Sequence, residues 1–402
     1  MTPFMTQSLI LPGQTNRRKF LRAAASGAAA AILKPASGKD APVSPVQIEE
    51  PFNGAILDRH HGRPCGSGLA VRVAGSAPES LRVVVNGTPA RREGNRFFSE
   101  VTLSQKVTEI VARGSGTGAE DRVRVVWDRF SRPRYDFALD DNIFFLRDIA
   151  QKRYASLFDC FYLKLLRDWH RKYGTCFTAN IYFASEDGFT LTAFPDRYMK
   201  EWKENAGWLK LAFHAYADRP NRPYQDAPAA KLLADYDRVA EQILRFAGPD
   251  TFATPTNLHW SMARPDALKA LAQRGVRVLS GYFRPYNGRW DINYDLGAKR
   301  SEYLSRQDRL MDFDLGIIFI RDAIVCNENP VGQVATVLDP LTRSGTDQKE
   351  TINLLTHEQY FWPFYSRHLP DHPQRAEAAI RWVNDHGYKP AFFRDGLLGG
   401  TE

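Results

Sequence analysis

From Tyr135 onward, short apolar runs of strand length alternate with longer segments of helical period. Phe137-Ala138-Leu139, Phe177 to Phe183, Leu209 to His214, Thr256 to His259, Val276 to Leu279, Ile352 to His357 and Pro390 to Phe393 read as strands. Ile143 to Tyr173, Asp196 to Asn205, Ala227 to Phe246, Arg264 to Arg274 and Pro373 to His386 read as helices. Parallel strands need crossovers long enough to hold a helix, so this rhythm calls for an α/β parallel sheet. A TIM-like, distorted (β/α) barrel over residues 134–402 is the most economical form.

The preceding segment has a different texture. Leu69 to Val73, Leu81 to Val85, Phe97 to Val101, Glu109 to Ala112 and Val123 to Trp127 are short strand-like runs. Asn86-Gly87 between two such runs is a hairpin signal, because both turn positions accept positive φ. Residues 42–133 are therefore expected to form a small immunoglobulin-like β-sandwich, an accessory domain. No catalytic cluster falls in it. His60 and His61 are adjacent, would point to opposite faces of a strand, and read as loop residues.

Residues 1–38 read as an export signal of the twin-arginine (Tat) type. Arg17-Arg18-Lys19-Phe20-Leu21 precedes an Ala-rich apolar run from Ala23 to Leu33, followed by the small residues Ala36-Ser37-Gly38. That run is too short to span a bilayer, and no later segment is apolar for long enough, so no integral membrane segment is expected in the mature protein. The expected location is periplasmic or extracellular. The signal also explains the charge. Five basic residues and no acid lie in it, leaving only +3 of the net +8 for the rest of the chain. No basic stripe remains for a phosphate backbone, so nucleic acid is not an expected partner. Cys65, Cys160, Cys176 and Cys326 form no Cys-x-x-Cys pair, which argues against a structural thiolate zinc site; Cys160 and Cys176 could pair if their elements adjoin.

The position of the polar residues points to chemistry. Asp140-Asp141, His214, His259 and His357 each end a predicted strand. In a barrel the carboxyl ends of the strands face one mouth, where the active site is built. A carboxylate with two imidazoles suits a divalent metal such as zinc and leaves room for water and substrate. Of two consecutive aspartates, one can ligate while the other takes a proton. A histidine from another strand can then protonate the leaving group.

These residues resemble a known family. Phe137-Ala138-Leu139-Asp140-Asp141-Asn142 is similar to the Thr-Phe-Asp-Asp-Gly motif of the polysaccharide deacetylase (carbohydrate esterase) superfamily. Leu211-Ala212-Phe213-His214 resembles the strand that carries its first metal-binding histidine, and Leu354-Leu355-Thr356-His357 its late Leu-x-x-His motif. The resemblance covers roughly residues 135–395 at the level of motif order. It implies Asp140 as base, Asp141 and His214 as metal ligands and His357 as general acid. The family's second histidine, four residues after the first, is replaced by Asp218, and His259 is expected as the third ligand. The implied activity is removal of N- or O-acetyl groups from a polysaccharide or glycan.

Further residues could serve the same site. The loop Phe213 to Tyr224 is polar, aromatic and proline-rich, and offers Asp218 and Tyr224 to a substrate. Trp260, Tyr282 and Tyr360 could stack on sugar rings. Glu358 is an alternative base, or an orienting partner of a histidine. Two rival functions follow. Glu358 with Asp140 or Asp141 could form the carboxylate pair of a glycoside hydrolase. Loss of the family's second histidine could instead mark a non-catalytic carbohydrate-binding envelope protein.

Overall fold

A computed structural model describes residues 44–286, 288–343, 345–393 and 398; the expected export signal lies outside them. Two sheets of five strands occupy residues 47–127. In the first, Gly68–Ser76 pairs antiparallel with Arg96–Leu103, flanked by Gln47–Glu50, Arg63–Cys65 and Arg91–Glu93. In the second, Glu120–Trp127 and Val107–Gly114 pair antiparallel, with Ile56–Leu57, Val83–Val85 and Thr88–Pro89 beside them. Val71, Val73, Phe97 and Leu103 from one sheet and Val83, Val85, Ile110 and Val125 from the other share one core. The Asn86-Gly87 turn joins two paired strands with both residues at positive φ, as the sequence signal requires.

The remainder is a mixed α/β assembly built on a nine-stranded sheet. In it Lys389–Pro390 pairs parallel with Arg134–Asn142, Arg309–Asp312 pairs antiparallel with Ile317–Val325, and seven parallel strands form the main path. They are β1 (Arg134–Asn142), β2 (Phe177–Tyr182), β3 (Leu209–Ala215), β4 (Phe252–Ala253), β5 (Val278–Gly281), β6 (Ile317–Val325) and β7 (Thr351–His357). Their spatial order is β4-β3-β2-β1-β7-β6-β5, with β4 and β5 at the two ends of the path. Each neighbouring pair is parallel. Ser280 N, on β5, donates to Thr256 O, three residues beyond β4, at 2.6 Å. The helices are α1 (Phe144–Lys152), α2 (Phe161–Tyr173), α3 (Met199–Asn205), α4 (Ala229–Phe246), α5 (Pro265–Gln273), α6 (Gly297–Gln307), α7 (Val334–Leu338) and α8 (His372–Asp385). None of the described helices is long and apolar enough to cross a membrane.

Every residue of β1, β2 and β7 is buried, as expected of strands covered on both faces. On β1, Tyr135, Phe137 and Leu139 point into the large aromatic core shared with α1, α2 and α4. Ala138 belongs to a separate inner cluster with Leu355 and Val325, and Asp136 and Asp140 share its side of the strand by the two-residue alternation.

Three sequence expectations need correction. The helix read over Ile143 to Tyr173 is two helices, because Arg153 turns left-handed (φ 52°) and Ser156 starts a capping box with Asp159. The strand read at Thr256 to His259 lies earlier, at Phe252–Ala253, and His259 begins a 3-10 turn. β6 escaped the sequence reading, although Ile317 to Val325 is mostly apolar. All four cysteines are free thiols.

The two-sheet part and the parallel sheet meet over buried ion pairs. Arg309 reaches Asp58 and Asp128, each at 2.9 Å, and Arg134 also contacts Asp128. The adjacent histidines join this seam: His61 pairs with Asp58 at 2.8 Å and His60 with Glu350 at 2.5 Å. Gly54 permits close approach here, since a Cβ on it would lie 2.2 Å from Met311 O.

Candidate metal centre

Consecutive residues on a strand point to opposite faces, so Asp140 and Asp141 could not share a site on a regular β1. The register between β1 and β2 shifts after Leu139, and Asp141 adopts φ 61°, a left-handed conformation unusual for a side chain larger than glycine. The β2–β3 ladder shifts in the same layer, between the pairs Ile181–Phe213 and Tyr182–Ala215, and leaves His214 unpaired in the register. These irregularities turn Asp141 and His214 toward each other. His259 arrives from its 3-10 turn, which is set by positive φ at Trp260 and Ser261.

Asp141 Oδ1, His214 Nε2 and His259 Nδ1 form a triangle with sides of 3.1, 3.3 and 3.3 Å. All three residues are buried. Each imidazole is fixed through its other nitrogen: His214 Nδ1 lies 3.1 Å from Asn257 O, and His259 Nε2 lies 3.1 Å from Asp218 O. A carbonyl oxygen can only accept, so those nitrogens carry the protons. In neutral imidazoles of this tautomer, His214 Nε2 and His259 Nδ1 are bare lone pairs facing a carboxylate oxygen. The Tyr182 hydroxyl also reaches Asp141 Oδ1 and His259 Nδ1, but its single hydrogen cannot satisfy all three acceptors, an arrangement that suits a cation. Tetrahedral ligand atoms about 2.0–2.1 Å from zinc are spaced about 3.3 Å apart, which the triangle matches. This donor set could hold a metal ion.

The charges in the site reinforce one another. Burial alone would raise the Asp141 carboxyl, but the facing His214 and His259 imidazoles hold it well below the usual carboxylate range. Burial opposes a charge on His214, yet Asp140 and Asp141 push its pKa up. Asp140 is pushed up to about 6, chiefly by burial. Its oxygens accept from Asn180 Nδ2 at 2.7 Å and Asn257 Nδ2 at 2.9 Å. His357 approaches from β7 with Nε2 4.0 Å from Asp141 Oδ2, and its Nδ1 lies 2.8 Å from Asn327 Oδ1.

Two expected site residues, Glu358 and Tyr224, lie elsewhere. Glu358 is fully buried and faces backbone: its oxygens accept from the N–H groups of Ile143, Phe144 and Phe145 and from Trp362 Nε1. It caps α1, which has no side-chain cap of its own. Burial pushes its carboxyl up to about 7 against those four hydrogen bonds. Tyr224, expected to meet substrate, is completely buried; its hydroxyl donates to Asp235 and accepts from Tyr216 N. Asp218 is partly exposed and contributes its carbonyl to His259.

Trp260, Tyr282 and Tyr360 are half-buried. Trp260 lies 6.1 Å from His259 between ring centroids, with the Arg222 guanidinium 5.3 Å over its ring. Tyr360 lies 6.2 Å from His357, and Tyr282 packs on the inner cluster of Ala138, Val325 and Leu355. Sequence reading missed Tyr182, Asn180 and Asn257. The first two were signalled by Thr178, Asn180 and Tyr182 recurring at every second position of a fully buried strand.

No family model and no curated protein matches the chain by sequence. Among solved structures, a CE4 esterase from Streptococcus mutans aligns at 12% identity and TM-score 0.33, over 65% of this chain and 86% of its own. A provisionally assigned polysaccharide deacetylase of O-antigen biosynthesis from Bordetella bronchiseptica aligns at 14% identity and TM-score 0.30, over 65% and 87%. A 4-alpha-glucanotransferase from Thermococcus litoralis aligns at 10% identity and TM-score 0.43, over 67% and 41%. At such identity and TM-score these likenesses assign nothing to individual residues.

Proposed function

We propose that this chain is a metal-dependent hydrolase that removes N- or O-acyl groups, acetyl foremost, from a polysaccharide or glycan. The observation that carries the reading is the Asp141–His214–His259 triangle, with His357 Nε2 4.0 Å from Asp141 Oδ2 and Asp140 paired with His357 in the register. Asp141, His214 and His259 would hold the ion, and their mixed oxygen and nitrogen donors suit zinc. When bound, a divalent ion supplies polarisation of the acyl carbonyl and a lowered pKa for water.

The remaining work falls to the chain. Asp140 is the base that takes a proton from water, and Asn180 and Asn257 fix its carboxylate in place. His357, oriented by Asn327, presents Nε2 to the site and hands a proton to the departing amine or alcohol. Trp260, Tyr282 and Tyr360 offer half-buried aromatic faces to the sugar, with Asp218 beside them. Cleavage of glycosidic bonds by paired carboxylates is less well served, because both Glu358 oxygens are engaged by backbone and Trp362.

We read the seven parallel strands of the main path as a distorted TIM-like barrel over residues 134–402, opened between β4 and β5. Residues 42–133 are an immunoglobulin-like accessory module, and residues 1–38 direct Tat export to the periplasm or beyond. The test is acetate release from a panel of acetylated glycans. Activity should vanish with a chelator and return with zinc; turnover that ignores the chelator would refute the proposal.

A further inference from the structure

Tyr182 ends β2 and is buried among the residues of the centre. Its ring meets His259 edge-on at 5.2 Å and lies 5.3 Å from His214. Its hydroxyl contacts Asp141 Oδ1, lies 2.9 Å from His259 Nδ1 and lies 3.4 Å from Asp218 Oδ1. His259 Nδ1 is a bare lone pair, because Nε2 donates to Asp218 O. One phenolic hydrogen therefore faces two acceptors, and these are two of the three atoms of the triangle. A cation that engages the one lone pair of His259 Nδ1 leaves only carboxylate oxygens to accept from the phenol. Of these, Asp218 Oδ1 is the one outside the triangle, 3.4 Å from the phenol oxygen.

We propose that the Tyr182 phenol oxygen is the fourth protein donor to the ion, with its hydrogen directed to Asp218. This rests on the metal-site reading above and deepens it: the donor set becomes one carboxylate, two imidazoles and one phenol, with water in a fifth position. It also gives the Asp218 side chain, 39% exposed at the edge of the centre, a function as the partner that orients the phenol.

Titration of the full chain with Co(II) tests this through affinity and visible spectrum, both independent of turnover. Tyr182→Phe keeps the ring and should weaken Co(II) binding about 10-fold or more. Its spectrum should also change, reporting a lost ligand. Asp218→Asn should bind with intermediate affinity and a shifted spectrum. Wild-type affinity and an unchanged spectrum in Tyr182→Phe would overturn the proposal. If that variant does not fold, an unchanged spectrum in Asp218→Asn overturns it instead. The two readings fail differently. A wild-type chain that binds no Co(II) defeats the metal centre itself. Binding that is lost in His214→Ala but untouched in Tyr182→Phe defeats the Tyr182 assignment alone.

Discussion

Asp140 and His357 stand opposite each other in the register of two neighbouring parallel strands, although 217 residues separate them in the chain. Neither belongs to the converging triangle. Removing either should therefore stop chemistry and spare the ion. Asp140→Ala and His357→Ala are each expected to lower turnover on an acetylated glycan by about 10²- to 10⁴-fold. Metal content, measured on the same preparations, should stay at the wild-type level. Activity that falls only in step with lost metal would show that these side chains act as ligands.

Glu358 joins the loop after β7 to the start of α1 through three backbone N–H groups and Trp362. Truncation strands four buried donors at once. Glu358→Ala is expected to cost about 3 kcal/mol or more in urea denaturation. A loss within about 0.5 kcal/mol would show that water takes over the cap.

Asp141 holds a left-handed backbone conformation that glycine adopts freely. Two variants at this position separate strain from function. Asp141→Gly should be about 1 kcal/mol more stable than Asp141→Ala by thermal unfolding. Neither should bind a divalent ion. Equal stability of the two would mean that the conformation relaxes when the side chain is lost.

His372 is fully buried, lies 2.9 Å from Thr356 Oγ1 and packs 4.2 Å from the Phe361 ring. Burial pushes its pKa down to about 3 from the ordinary 6.5. Above pH 6.5 the residue is neutral in both folded and unfolded chains and makes no difference. Between 6.5 and about 3 only the unfolded chain binds the proton, so stability falls with pH over that window. The loss is on the order of a few kcal/mol. His372→Gln cannot titrate and should show a shallower decline in unfolding temperature from pH 6.5 to 4. Parallel curves would contradict the assignment.

Much of this was legible because apolar runs ending in a polar residue reveal both a strand and its mouth. Asp140, Asp141, His214 and His357 were placed that way, and the structure puts each at or near a strand end. His259 was found for a reason that does not hold: it sits on a turn, and two left-handed residues after it make that possible. The two bulges were invisible, since a one-residue register shift leaves no compositional trace. Tyr182 and Asn180 carry no local signal beyond alternation. Asn257 and Glu358 act on partners 117 and 213 to 215 residues away. Tyr224 looked accessible in a polar loop because sequence does not report which loop side chains fold inward.

Metal stoichiometry tests the centre most directly. Wild-type chain incubated with zinc and then desalted should retain one ion per molecule by elemental analysis, while the Asp141→Asn, His214→Gln double variant should retain none. A wild-type chain that keeps no metal, or a double variant that keeps as much as wild type, would contradict the convergence of Asp141, His214 and His259 on a single ion.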